Sequence, residues 1–86
     1  MIYSLEVSEM AKEAFKKLRK DKAQRMAVEK KVEQIVQNPE HFKPLRGPMT
    51  GVRRAHVGSF VITFEIDYSR EVVRLLDYDH HDKIYK

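Results

Sequence analysis

Residues 45–66 read LRGPMTGVRRAHVGSFVITFEI, and the way this stretch folds back on itself decides the rest. Val52 to Val57 alternates, and Phe60 to Ile66 alternates again. Between them Gly58-Ser59 supplies a two-residue loop whose glycine tolerates positive φ, so the stretch predicts two strands in a hairpin. The loop fixes the register. Val57 falls opposite Phe60, Ala55 opposite Ile62 and Arg53 opposite Phe64 on one face; His56 falls opposite Val61, Arg54 opposite Thr63 and Val52 opposite Glu65 on the other. Phe60, Ile62, Phe64 and Ile66 mark the first face as core. The second face then displays Arg54 and His56, about 6–7 Å apart along one strand.

Outward from the hairpin, Glu40 to Thr50 carries Pro44, Gly47 and Pro48 and reads as a loop. Upstream, Met10, Ala11, Ala14, Phe15 and Leu18 recur at helical spacing, with Ser8 placed as N-cap and an end expected near Lys20. Asp21 with Gln24 has the form of a capping box opening a second helix, whose apolar face is Ala23, Ala27, Val28, Val32, Ile35 and Val36. Asn38-Pro39 stops it. Ile2 to Val7 alternates as a leading strand. Downstream, Glu71 to Tyr78 is a fourth strand with apolar residues on both faces, as suits a central position. The order β-α-α-β-β-β predicts an α+β domain, an antiparallel sheet with an N-terminal helical hairpin packed on one face.

At 86 residues the whole chain, 1–86, is one domain, near the smallest size at which a single core suffices. It has no cysteine, which excludes disulfides and thiolate metal sites and points to a reducing, cytoplasmic setting. No apolar run approaches a membrane span, and the first residues lack the form of a signal peptide. A formal net charge of +4 suits a polyanion such as RNA or an acidic protein segment, without choosing between them.

Arg54, His56, His80, His81 and Tyr85 are the candidates for chemistry, with Arg46, Arg53 and Lys83 as further cations. Histidine exchanges protons near neutral pH, arginine matches two phosphate oxygens, and tyrosine stacks on a base. Together these serve a ribonuclease that needs a base for the 2′-OH, an acid for the leaving 5′-oxygen, and cations for the phosphorane. Each residue also has an ordinary reading as a solvated strand side chain. His80-His81 forms no metal site with any third ligand at suitable spacing, since adjacent strand residues point apart.

The succession LRG, GVRRAHVGSFVITFEI, a further strand and a terminal HHDKIY resembles the RelE/ParE toxin superfamily of bacterial and archaeal toxin–antitoxin modules. The resemblance spans nearly the whole chain. It implies a RelE-like fold and an mRNA interferase: a metal-independent endoribonuclease that cuts A-site mRNA on the ribosome by 2′-OH attack, held inactive by a cognate antitoxin. No membrane and no small-molecule cofactor is implied. Residue by residue, Arg54 and His56 match the family's two basic strand positions, His81 the basic residue four before the terminal tyrosine, and Tyr85 that tyrosine. Arg46, Arg53, His80 and Lys83 are the expected RNA contacts on residue type alone, not by the likeness.

One position departs. Val61 stands where many RelE-type members carry an arginine; losing a preorganised charge-stabilising donor costs roughly 2–4 kcal/mol, with His80, Arg74 or Arg53 as candidates to compensate. A ParE-like inhibitor of DNA gyrase, or a degenerate homologue that only binds antitoxin, are the alternative expectations.

Overall fold

The computed structural model describes residues 2–45 and 51–84. In chain order these form β1 (Ser4–Val7), α1 (Glu9–Lys16), α2 (Lys22–Gln37), a 3-10 turn (Pro39–His41), β2 (Val52–Val57), β3 (Phe60–Asp67), β4 (Val72–His80) and a final helical turn α3 (His81–Ile84). One four-stranded sheet runs β1-β4-β3-β2.

All six pairings expected of the hairpin hold, from Val52 opposite Glu65 to Val57 opposite Phe60. Gly58 takes φ +61°, the left-handed conformation that its missing Cβ permits. The outer edge of β2 is paired in turn with the preceding chain: Arg54 N donates to Lys43 O (3.0 Å) and Leu45 N to Val52 O (2.8 Å).

The sheet is mixed rather than antiparallel, because β1 lies parallel to β4, Ser4 beside Val72 through Val7 beside Leu75. Alternation in Ile2–Val7 marks a strand but carries no direction. That is settled by partners 67 residues away, where Ser4 N donates to Glu71 O and Ser8 N to Leu75 O, each at 2.9 Å. β4 is consequently internal, as its two-sided apolar pattern predicts.

A second cause of that pattern is a register shift between β3 and β4. Thr63 faces Asp77 but Phe64 faces Leu75, leaving Leu76 as the extra residue of a bulge. The shift inverts the alternation, so Val73, Leu75 and Tyr78 share the helix-side face while Asp77 and Asp79 share the other. Ser8 fastens this point: its Oγ donates to the bulge carbonyl of Leu76 (2.7 Å) and accepts from Ala11 N (3.1 Å), capping α1 as expected.

Both helices pack on one face. Ala11 of α1 and Val28 and Ile35 of α2 are buried against Ala55, Val57, Ile62, Phe64, Val73, Leu75 and Tyr78. The apolar faces are narrower than the sequence suggests: Met10, Ala23 and Ala27 are exposed, and α1 ends at Lys16, with turns over 17–20. Asp21 does cap α2 through Gln24 N (3.0 Å). The Gln24 side chain does not close the box, however; it donates to the Tyr78 hydroxyl (2.7 Å). Burial raises the pKa of that phenol, opposed by the Gln24 bond.

At the far end of the sheet, Asp67 organises the β3–β4 turn by accepting from Ser69 Oγ (2.7 Å) and Arg70 N (3.2 Å). Those bonds, the Ser69 hydroxyl first, hold its carboxyl below the usual carboxylate range. Arg70 pairs with Glu6 of β1, tying the edge strand to this turn.

Candidate functional site

The face opposite α1 and α2 carries side chains in rows across β2, β3 and β4. One row is His56, Val61 and Asp79; the next is Arg54, Thr63 and Asp77; a third is Val52, Glu65 and Arg74. Arg54 and His56 thus face outward together, as the hairpin register requires. Arg54 is anchored by its Nη1, which donates to the Pro44 carbonyl at 3.0 Å.

His81 joins them from the tail. β4 ends at His80, level with Phe60, and the next residue reaches the hairpin loop: His81 N donates to Ser59 O at 2.9 Å. That bond delivers the imidazole to the same side, with ring centroids of His56 and His81 6.2 Å apart and planes inclined by 37°. The His81 Nδ1 lies 3.3 Å from a carboxylate oxygen of Asp82. The His56 pKa is lowered from the ordinary histidine value, first by burial of the flank against the sheet, then by the positive charges of Arg54, His81 and Lys31. Its free-base form is therefore favoured near neutrality.

Two of the other expected contacts lie on the helix side. Arg53 points to the helix side and donates through Nη1 to Phe42 O at 2.7 Å. His80 also lies on the helix side, opposite Phe60, and meets that ring edge-on at 5.5 Å and 76°. Lys83 is exposed on α3. Arg74 stands at the other end of the open face, 4.0 Å from Glu65. Arg46 and Tyr85 fall outside the described residues. Val61 is fully buried in the middle of its row and offers no charge.

Three groups near the cluster escape a reading of residue types. Asp77 and Asp79 reach this face only through the bulge, and the doublet Leu75-Leu76 that breaks alternation was the available signal. Lys31 of α2, its Nζ 5.9 Å above the Phe42 ring, adds positive charge at the β2 side. Among the described residues, no three His, Asp or Glu side chains converge as a metal would require.

The cluster therefore offers two imidazoles and a guanidinium on an open sheet surface, the equipment for moving protons beside a phosphate. The architecture that carries it is the RelE type. The chain superposes with a TM-score of 0.82 on a chain from the RelBE2 toxin–antitoxin complex of Mycobacterium tuberculosis, at 24% identity over 93% of this chain and 92% of that one. For the archaeal RelE–RelB complex of Pyrococcus horikoshii the TM-score is 0.75, at 20% identity over 94% and 97%. These likenesses concern the fold.

Sequence relationship goes further. The family model for the ParE toxin of type II toxin–antitoxin system, parDE, matches residues 5–85. A Methanocaldococcus jannaschii protein described as "Putative toxin RelE4" is 41% identical, over 99% of this chain and 93% of its own length. The chain belongs to the RelE/ParE superfamily of toxins of type II toxin–antitoxin systems.

Proposed function

We propose that this protein is a ribosome-dependent mRNA interferase: an endoribonuclease that cuts A-site mRNA by its own side chains and is neutralised by a cognate antitoxin in the cytoplasm. The observation that carries the reading is the approach of His56 and His81 to 6.2 Å, beside Arg54, on the open face. His56, with its lowered pKa, takes the 2′-OH proton. The 2′-oxygen then bonds to phosphorus while the bond from phosphorus to the 5′-oxygen breaks, and His81 protonates the departing oxygen. The products are a 2′,3′-cyclic phosphate and a 5′-hydroxyl. Arg54 faces the two non-bridging oxygens, and Tyr85 is assigned the base-stacking role by family likeness alone.

The antitoxin is assigned to the opposite side. Leu5, Val7, Phe15, Leu18, Val28 and Val32 line an apolar groove of about 370 Å³ between β1 and the helices. An adjoining hollow continues it between Lys12, Lys16, Arg19 and Arg25, so an apolar segment with acidic flanks suits it.

A second reading is supported by the ParE identity of the family model and by two features of the face. Asp77 and Asp79 oppose a polyanion, and Val61 supplies no cation. That reading is inhibition of DNA gyrase without nuclease activity. Expression of the parent, Arg54→Ala and His81→Ala proteins separates the two. The nuclease reading expects early arrest of translation, relief of growth arrest in both variants, and cleavage of ribosome-bound but not free mRNA with chelator present. Early arrest of DNA synthesis, with both variants as toxic as the parent, would establish the gyrase reading instead.

A further inference from the structure

His80 and His81 are adjacent, yet the structure gives them different surroundings. The His80 ring lies on the helix side of β4, edge-on against Phe60, which itself stacks on Tyr78 with centroids 5.1 Å apart. Its Nδ1 lies 3.2 Å from the backbone nitrogen of Asp82. A backbone N–H only donates, so in this contact Nδ1 accepts; the same nitrogen lies 3.7 Å from Asp82 Oδ2. An acceptor side chain reaching the N–H two residues ahead, at the start of a helical turn, is the geometry of an N-cap. The His80 backbone is fixed as well, its N–H donating to Asp79 Oδ1 at 2.7 Å.

We propose that His80 is a positioning residue for His81: wedged on Phe60 and capping the first turn of α3, it fixes the angle at which the chain leaves β4 and so holds the His81 imidazole beside His56. The proposal deepens the nuclease reading above and rests on it for its catalytic consequence. It replaces the expectation that His80 touches RNA. The exit of the chain is marked by the bonds of the His81 N–H to Ser59 O and the Asp82 N–H to His80 Nδ1. The first holds the residue next to the hairpin loop; the second holds the turn that follows it, where the Asp82 carboxylate also lies 3.3 Å from His81 Nδ1. α3 is four residues long and cannot hold itself together by its own ladder of bonds, so a cap decides whether the turn forms.

The acceptor and the ring shape are separable. His80→Asn keeps a good capping acceptor without the ring; His80→Phe keeps an aromatic against Phe60 without the acceptor. In the free protein, NMR is expected to show the Asp82 amide shift and the proximity of the His56 and His81 rings retained in His80→Asn and lost in His80→Phe, with unchanged melting temperatures. On ribosome-bound mRNA, kcat is expected to fall about tenfold in His80→Phe with KM unchanged, the size of effect that a slight misplacement of a reacting group produces, and to recover in His80→Asn. If His80→Phe keeps both NMR signatures, the positioning role is overturned whatever the enzyme does. A KM rise of similar size in both variants, with kcat intact, would restore RNA contact and overturn it too. If the parent itself cleaves nothing while the NMR differences stand, the nuclease reading fails and the device that holds the tail survives.

Discussion

Arg53 and Arg54 are neighbours with the same side chain, and the sheet sends them to opposite fates. On the helix side, Arg53 gives its guanidinium to the Phe42 carbonyl, next to the ring contact of Phe42 with Phe64. On the open side, Arg54 is anchored to Pro44 and stands in the row beside His56. The contrast extends to the whole of each face. The covered face is held by bulk: Phe64, Ile62, Leu75 and Val73 are almost wholly inaccessible beneath Ala11 and Ile35. The open face is held by register and by tethers to loops, and its polar groups sit where the pairing puts them. Loss of an apolar side chain on the first face is therefore expected to cost stability, whereas on the proposed nuclease reading loss of a charge on the second is expected to cost chemistry.

The largest effect that would test this division is on the covered face. Phe64→Ala removes a fully buried ring and is expected to cost about 3–5 kcal/mol, much of what a domain this small has, read by urea denaturation. A loss under about 1 kcal/mol would mean that this face does not carry the fold.

The arginine pair sharpens the comparison directly. Arg53→Ala gives up a charged hydrogen bond and should cost about 1–3 kcal/mol while the folded fraction keeps its cleavage rate. Arg54→Ala should leave the melting temperature nearly unchanged and lower the cleavage rate by roughly 10²–10³, the usual scale for a charge-stabilising donor. Exchanged outcomes would reverse the roles of the two faces.

The smallest effect is a titration. Arg54 is the second cause of the lowered His56 pKa, after burial, so Arg54→Ala should move that pKa part of the way back toward 6.5, read by NMR. The sign of the linkage follows. Between the lowered folded value and 6.5 the unfolded chain binds more protons, so His56's contribution is full above about 6.5 and is lost as pH falls through that window. An unmoved His56 titration in Arg54→Ala would separate the two residues electrostatically.

Much of this molecule is legible in its residues because the decisive signals are local. Gly58-Ser59 sets a loop of two, the loop sets the register, and the register alone puts Arg54 and His56 on one face and Phe64 on the other. Ser8 and Asp21 cap the helices they precede, and Asn38-Pro39 ends the second, each through bonds spanning three or four residues. The site was less legible. The bulge at Leu76 inverts the alternation of β4, placing Asp77 and Asp79 on the open face and His80 against Phe60.

What the sequence determined by itself is the hairpin, the capped helices and the pairing of one guanidinium with one imidazole, because hydrophobic periodicity and turn chemistry act over a few residues. What only the tertiary structure decided is the parallel placement of β1, the inversion in β4 and the meeting of His81 with His56. Those depend on bonds such as Ser8 to Leu76 and His81 to Ser59, whose partners lie 68 and 22 residues apart along the chain, beyond the reach of any local pattern.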